Sequence, residues 1–234
     1  MGPRDFKVPV PSAGGLVEVS VRAYEADFIA APCLILGHGA GAGHDSGFMV
    51  EFSRALAARG VEVTTFNFPY IEQRRRVADR NDVLEACWRL VITAVRERLP
   101  TRPLFIGGKS MGGRIASQVA AGPEASALGV SGLVFIGYPL HPPGRPQQLR
   151  VSHWPAVRVP ALFVQGSRDT FGTPDELRGH LPEWGAETDL LVVDDGDHSL
   201  KVRKGPRPGR SQEAVYASVQ DAIASWIGRG NPES

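Results

Sequence analysis

The sequence predicts an α/β fold built on a mostly parallel sheet with helices on both faces. Short apolar runs alternate along the whole chain with stretches of helical periodicity, the pattern of repeated strand-helix-strand units. Glycine and proline, 27 and 19 of 234 residues, punctuate these runs, and no repeat, low-complexity tract or linker interrupts them. One domain spanning residues 1–234 is therefore expected.

The elements follow in order. Val17 to Tyr24 alternates as a half-buried strand, and Cys33 to Leu36 is a continuous apolar run ending in glycine, as a buried parallel strand does. Phe48, Phe52 and Leu56 lie about a turn apart in the helix Gly47–Ala58, and Gly60 is its C-cap before the strand Val61–Phe66. Val83, Leu84, Cys87, Trp88, Val91 and Val95 make one face of a helix between Asp79 and Leu99, which Pro100 and Pro103 stop. The alternation then repeats: strand Leu104–Ile106, helix Ser110–Ala121, strands Leu133–Ile136 and Ala161–Val164, helix Pro174–His180, strand Leu190–Val193 and helix Gln212–Ile227.

Composition excludes several functions. The 26 basic and 25 acidic residues leave a net charge of +1, so no global field would hold the protein on nucleic acid or an anionic membrane. Cys33 and Cys87 sit inside apolar segments without a Cys-x-x-Cys pair, which points to buried free thiols in a reducing compartment. Met1 to Gly15 carries Arg4, Asp5, Lys7, three prolines and no apolar core segment, so a signal peptide is not expected. The longest uncharged stretch, Ala125 to Gly144, holds seven glycines and prolines, too many for a membrane span. A cytoplasmic location is expected. The histidines other than His198 form no metal-ligand spacing, so neither a metal nor a cofactor is expected.

One glycine motif carries chemistry. Gly108-Lys109-Ser110 ends like a phosphate-binding loop, but Pro103 stands where that loop needs glycine, and residues 104–106 look like strand. The same residues satisfy G-x-S-x-G as Gly108-Lys109-Ser110-Met111-Gly112, between a strand and a helix. A serine on so sharp a turn sits in strained backbone, with glycines required on both sides, and its hydroxyl is held at a helix N-terminus. Ser110 is the candidate nucleophile. His198, after the strand Leu190–Val193, is the candidate base, and Asp169, directly after Ala161–Val164, the carboxylate that orients it. Asp194, Asp195 and Asp197 are the rival acids, too near His198 in sequence to need a strand to place them. The oxyanion donors are expected to be the Met111 amide and one from the loop Gly37-His38-Gly39-Ala40-Gly41-Ala42-Gly43, with Ala40 first and Gly41 second. No trio in that loop fits the dinucleotide-binding offsets.

Gly108 to Gly112, the Gly37 to Gly43 loop, Asp169 and His198 together resemble the α/β-hydrolase superfamily. Phe66-Asn67-Phe68-Pro69-Tyr70, Asp79-Arg80, the run Tyr138 to Gly144 and Gly166 to Gly172 resemble more closely a dienelactone-hydrolase-like branch. That branch includes testis-expressed and KANSL-type chromatin-complex hydrolase-like proteins. The resemblance, from Pro32 to Trp226, implies an α/β-hydrolase fold with a minimal or no cap domain and a Ser110-Asp169-His198 triad. Dienelactone hydrolases carry cysteine at the elbow, where this chain has Ser110.

The expected function is a serine hydrolase, of esterase or thioesterase type, acting on a small-molecule acyl substrate through an acyl-enzyme. The alternative is a catalytically idle interaction module of the same fold. Gly41, Tyr70, Tyr138 and His141 are expected to contact substrate, and Tyr138 to Pro155 to form a partial lid. Eleven cationic residues fall in loops at the carboxyl edge of the sheet: Arg74, Arg75, Arg76 and Arg80; Arg145 and Arg150; and Lys201, Arg203, Lys204, Arg207 and Arg210. They suggest an anionic substrate.

Overall fold

The computed structural model describes residues 4–12, 14–28, 30–203 and 211–229. Its strands are β1 (Arg4–Ser12), β2 (Gly15–Tyr24), β3 (Cys33–Gly37), β4 (Glu62–Phe66), β5 (Leu104–Lys109), β6 (Val130–Ile136), β7 (Ala161–Gly166) and β8 (Thr188–Val193). They form one sheet in the order β1-β2-β4-β3-β5-β6-β7-β8. β1 and β2 make an antiparallel hairpin that joins β4 antiparallel, and every other pairing is parallel. The helices are α1 (Gly47–Ala57), α2 (Pro69–Glu72), α3 (Asn81–Arg98), α4 (Met111–Ala120), α5 (Pro174–His180) and α6 (Gln212–Arg229).

Helical periodicity decides which side chains each helix gives to the sheet. Leu84 and Trp88 of α3 and Ile115 of α4 pack on one face with Ile35, Ile106 and Phe135. Phe52 of α1 and Ile223 of α6 pack on the other with Leu34, Phe105 and Val164. Alternate residues of the same strands thus feed two cores, which is why the central strands read as unbroken apolar runs. Trp88 is fully buried against β3, and truncating it to alanine would cost about 3–5 kcal/mol.

The N-terminal segment corrects the sequence reading. Residues 4–12 form a strand that supplies Val8 and Val10 to the core, with pairs running from Arg4↔Ala23 to Ser12↔Gly15. Pro9 and Pro11 hide it from a sequence search, yet proline is tolerated in an edge strand, where one row of backbone groups needs no partner.

Strand order reverses at β3, which has β4 on one side and β5 on the other. Loops leaving the carboxyl ends of β3 and β5 therefore part in opposite directions and open a crevice. No cap covers it among the described residues, and no described helix is long and apolar enough to cross a membrane.

Candidate active site

The turn from β5 into α4 sets Ser110 at that crevice with φ +51° and ψ −116°, a conformation costly for a side-chain-bearing residue. The surroundings hold it there. The Ser110 amide donates to the Ile136 carbonyl at 3.1 Å, and a Cβ at either Gly108 or Gly112 would collide with the Gly37 carbonyl oxygen. The elbow thus closes against β3 at a spacing only glycine allows.

His198 Nε2 lies 2.8 Å from Ser110 Oγ, and His198 Nδ1 lies 2.8 Å from Asp169 Oδ2. Because a carboxylate accepts only, Nδ1 carries the ring proton and Nε2 is free to accept from the hydroxyl. The Asp169 side chain is fully buried and accepts two further N–H groups, from the Phe171 amide at 2.8 Å and Gln165 Nε2 at 2.9 Å. The Phe171 ring stacks on the imidazole at 4.1 Å between centroids. A Cβ at Gly137 would stand 2.7 Å from the His198 carbonyl oxygen and 3.3 Å from Nδ1, so the β6 turn presses on the histidine from the opposite element.

The rival acids are engaged elsewhere. Asp195 pairs with Arg168 at 2.9 Å, and the Arg203 amide holds its carboxyl below the usual range. Asp197 accepts from the Ser199 and Lys201 amides and shapes its own loop.

On the β3 side, His38 is buried, accepts from the Phe68 amide at Nε2 (3.2 Å) and so donates from Nδ1 to the Gly39 carbonyl (2.8 Å). Burial pushes its pKa down to about 4, which keeps the ring neutral. The Gly39 carbonyl also accepts from the Ala42 amide at 3.3 Å. With that carbonyl turned inward, the Ala40 N–H across the same trans peptide points the other way. Gly39 lies against the elbow, since a Cβ there would be 3.7 Å from Ser110 Cβ. Ala40 and Gly41 are exposed, Gly41 at φ +75°, and Met111 opens α4.

Tyr138 and His141 stand corrected. Tyr138 is buried, and its hydroxyl donates to the Arg150 carbonyl at 2.9 Å and accepts from Trp154 Nε1 at 3.1 Å. It braces the loop instead of facing a ligand. His141 is also buried, its Nδ1 on the Pro142 carbonyl and its amide on the Phe171 carbonyl, so it ties that loop to the turn after β7. Trp154, packed among Tyr138, Phe163 and Trp184, anchors the far end of the segment 138–155 in the core, while residues 143–149 between the two anchors are exposed. Tyr70 is fully buried; its hydroxyl lacks a partner of hydrogen-bond geometry, although the Gly41 amide lies near enough to oppose the rise that burial causes in its pKa.

Sequence reasoning missed Gln165. Its Oε1 accepts from the Tyr138 amide at 2.9 Å, and its Nε2 donates to Asp169 Oδ2, the Gly172 carbonyl and the Tyr138 carbonyl. A glutamine inside the apolar run Ala161–Gly166 was the available signal, because a buried amide must find partners. Of the expected basic residues, Arg75, Arg80 and Arg203 meet Asp79, Asp82 and Asp195. Arg74, Arg76, Arg145 and Lys201 are exposed, Arg150 is partly buried, and Lys204, Arg207 and Arg210 lie outside the described residues. Both cysteines are buried, with the Cys33 thiol pushed up to about 12 by burial. Among the described residues no group of three His, Cys, Asp or Glu is arranged to hold a metal.

Residues 30–228 match the family described as alpha/beta hydrolase domain. Among solved structures, the chain is similar to a dienelactone hydrolase from Anabaena variabilis, with 18% identity, 98% of this chain and 99% of that one covered, and a TM-score of 0.72. It is also similar to a lidless serine hydrolase from Xanthomonas campestris (21% identity, 99% and 96% covered, TM-score 0.70). A serine hydrolase homologue from Coxiella burnetii is a third (16%, 98% and 97%, 0.71).

Proposed function

The chain belongs to the alpha/beta hydrolase domain family, and we propose that within it this protein is a serine hydrolase that cleaves a small acyl ester or thioester through an acyl-enzyme. The observation that carries this reading is the unbroken line of hydrogen bonds from Ser110 Oγ through His198 to the buried Asp169 carboxylate. In the reaction His198 Nε2 takes the hydroxyl proton as Oγ attacks the carbonyl carbon, and the resulting imidazolium is stabilised by Asp169. The Met111 and Ala40 amides receive the oxyanion. His198 then returns the proton to the leaving alcohol or thiol. A water, deprotonated by the same nitrogen, releases the acid and restores Ser110.

The crevice, without a cap among the described residues, favours a substrate that enters from solvent. The dienelactone hydrolase and serine hydrolase neighbours support the same reaction class. The experiment is labelling with a fluorophosphonate, followed by a panel of short acyl esters and acyl-CoA thioesters on wild type and Ser110→Ala. Labelling at Ser110 and turnover lost in the variant are expected. An unlabelled, inert wild type would leave the fold as a scaffold for protein contacts.

A further inference from the structure

The loops that carry Ser110, Asp169 and His198 are joined unevenly. The turn after β7, which holds Asp169, and the loop after β8, which holds His198, are knit by main chain. The Ser167 amide donates to the Val193 carbonyl at 2.9 Å and the Arg168 amide to the Gly196 carbonyl at 2.8 Å. A Cβ at Gly166 would stand 2.4 Å from the Gly196 and Asp197 carbonyl oxygens. Acid and base are thus set against each other by backbone. Between the elbow, residues 108–112, and the base's loop, residues 195–201, no main-chain hydrogen bond runs among the described residues. The Ser110–His198 contact has one companion there, from Lys109 Nζ to Ser199 Oγ at 2.8 Å.

Local structure puts the lysine in that place. Side chains alternate along β5, so Lys109 shares a sheet face with Phe105, which packs with Phe52 of α1 and Ile223 of α6. Its stem passes the oxyanion loop, since a Cβ at Gly39 would be 3.9 Å from Lys109 Cγ. The ammonium lies over the Phe48 ring, 4.7 Å from the centroid, where the negative face of the ring attracts it. Phe48 meets Tyr216 edge to face at 5.9 Å, and the Tyr216 hydroxyl donates to the Ser199 carbonyl at 3.2 Å. Lys109, Phe48, Tyr216 and Ser199 therefore close a ring of contacts around the residue that follows the base.

We infer that Lys109 is a positioning residue for the hydrolase reaction, tying the loop of the base to the elbow through Ser199 so that His198 Nε2 stays within hydrogen-bond reach of Ser110 Oγ. Its role in the reaction rests on the hydrolase reading; the tie itself does not. A lysine suits the task because its stem spans from a strand end to another loop, and its charge strengthens the bond to a hydroxyl. The precision matters, since a shift of about 1 Å in a reacting group can cost about 10²-fold in rate.

The test reads the loop and the rate separately, on wild type, Lys109→Met, Ser199→Ala, the double variant, Ser199→Thr and Lys201→Met. Lys201 is an exposed lysine two residues further along the same loop and serves as the charge-matched control. By hydrogen exchange, the amides of residues 197–201 are expected to open about tenfold more readily in Lys109→Met and in Ser199→Ala, with β6 unchanged. Rates are taken for fluorophosphonate labelling and for cleavage of para-nitrophenyl butyrate and para-nitrophenyl hemiglutarate. In both single variants kcat is expected to fall about ten- to hundredfold on either ester with KM within about twofold, the split that marks an effect on the reaction step instead of on binding. Because the two side chains make one contact, the double variant is expected within about threefold of the worse single one. Ser199→Thr, which keeps the hydroxyl, and Lys201→Met are expected to stay within about threefold of wild type. Unchanged loop exchange or wild-type kcat in either single variant, losses that multiply in the double variant, or an equal loss in Lys201→Met would overturn the tie. So would a loss seen only as a higher KM for the hemiglutarate, which would make Lys109 a holder of substrate charge. A wild type that neither labels nor cleaves either ester would refute the hydrolase reading; the tie would then stand on faster loop exchange in both variants and fall without it.

Discussion

Two serine–histidine contacts sit at the two ends of α4 and differ in everything but distance. Ser110 Oγ lies 2.8 Å from His198 Nε2, and Ser117 Oγ lies 2.7 Å from His153 Nε2. Ser110 occupies a strained turn, whereas Ser117 is a buried residue in regular helix whose hydroxyl already donates to the Arg114 carbonyl. Its oxygen can therefore only accept from His153, so the proton runs towards the serine instead of away from it. Among the described residues no carboxylate orients His153, and burial pushes its pKa down to about 4. A short serine–histidine distance thus does not make a nucleophile; the direction of the hydrogen bond and the group behind the imidazole do.

That contrast is easiest to break at the serines. Ser110→Ala or His198→Ala is expected to lower ester turnover at least about 10⁴-fold with an unchanged melting profile, while the loss in Ser117→Ala is smaller by orders of magnitude. Comparable losses at both serines, measured under single-turnover conditions, would erase the distinction. Next in size is Asp169→Asn, expected to cost about 10³–10⁴-fold by letting the imidazole adopt the wrong tautomer, against less than tenfold for Asp195→Asn or Asp197→Asn. A steady-state series of the three ranks them directly.

Gln165→Leu sharpens the comparison further, because it removes the donor behind the acid without touching the triad. About a ten- to hundredfold fall in kcat/KM is expected, with the acid limb of the pH–rate profile displaced, which mere loosening of the fold would not cause. The smallest effect belongs to His153. Its folded pKa of about 4 lies below the ordinary 6.5, so between those values the unfolded chain binds a proton that the folded chain refuses. Stability therefore falls as pH drops through that window, by about 1–2 kcal/mol from this group after solvent screening. Urea melts at pH 6.5 and 4 should show a shallower loss in His153→Gln than in wild type, with the pH–rate profile unmoved.

The parts of this site legible in sequence are those that depend on backbone. Gly108, Gly112 and the strand-to-helix switch around Ser110 report a turn whose shape any reader of local patterns can reconstruct, and Asp169 and His198 follow strands that the same patterns locate. Tyr138 and Gln165 were misread or illegible because their roles depend on where a side chain points after three or more segments have packed. An aromatic residue after a strand looks the same whether it faces a ligand or, as Tyr138 does, the core. β1 failed for another reason: its edge position excuses prolines that would forbid the same residues in the middle of a sheet.

The serine and the base that serves it lie 88 residues apart in the chain, and the acid comes 29 residues before the base. Synthesis at about 5–20 residues per second separates their appearance by about 4–18 s. Throughout that interval the emerging polypeptide carries the serine alone, without the imidazole that would activate it. On the proposed hydrolase reading, reactivity would be withheld until all eight strands have been made, and a truncated product ending before His198 would hold a folded elbow's worth of sequence with no chemistry to misdirect.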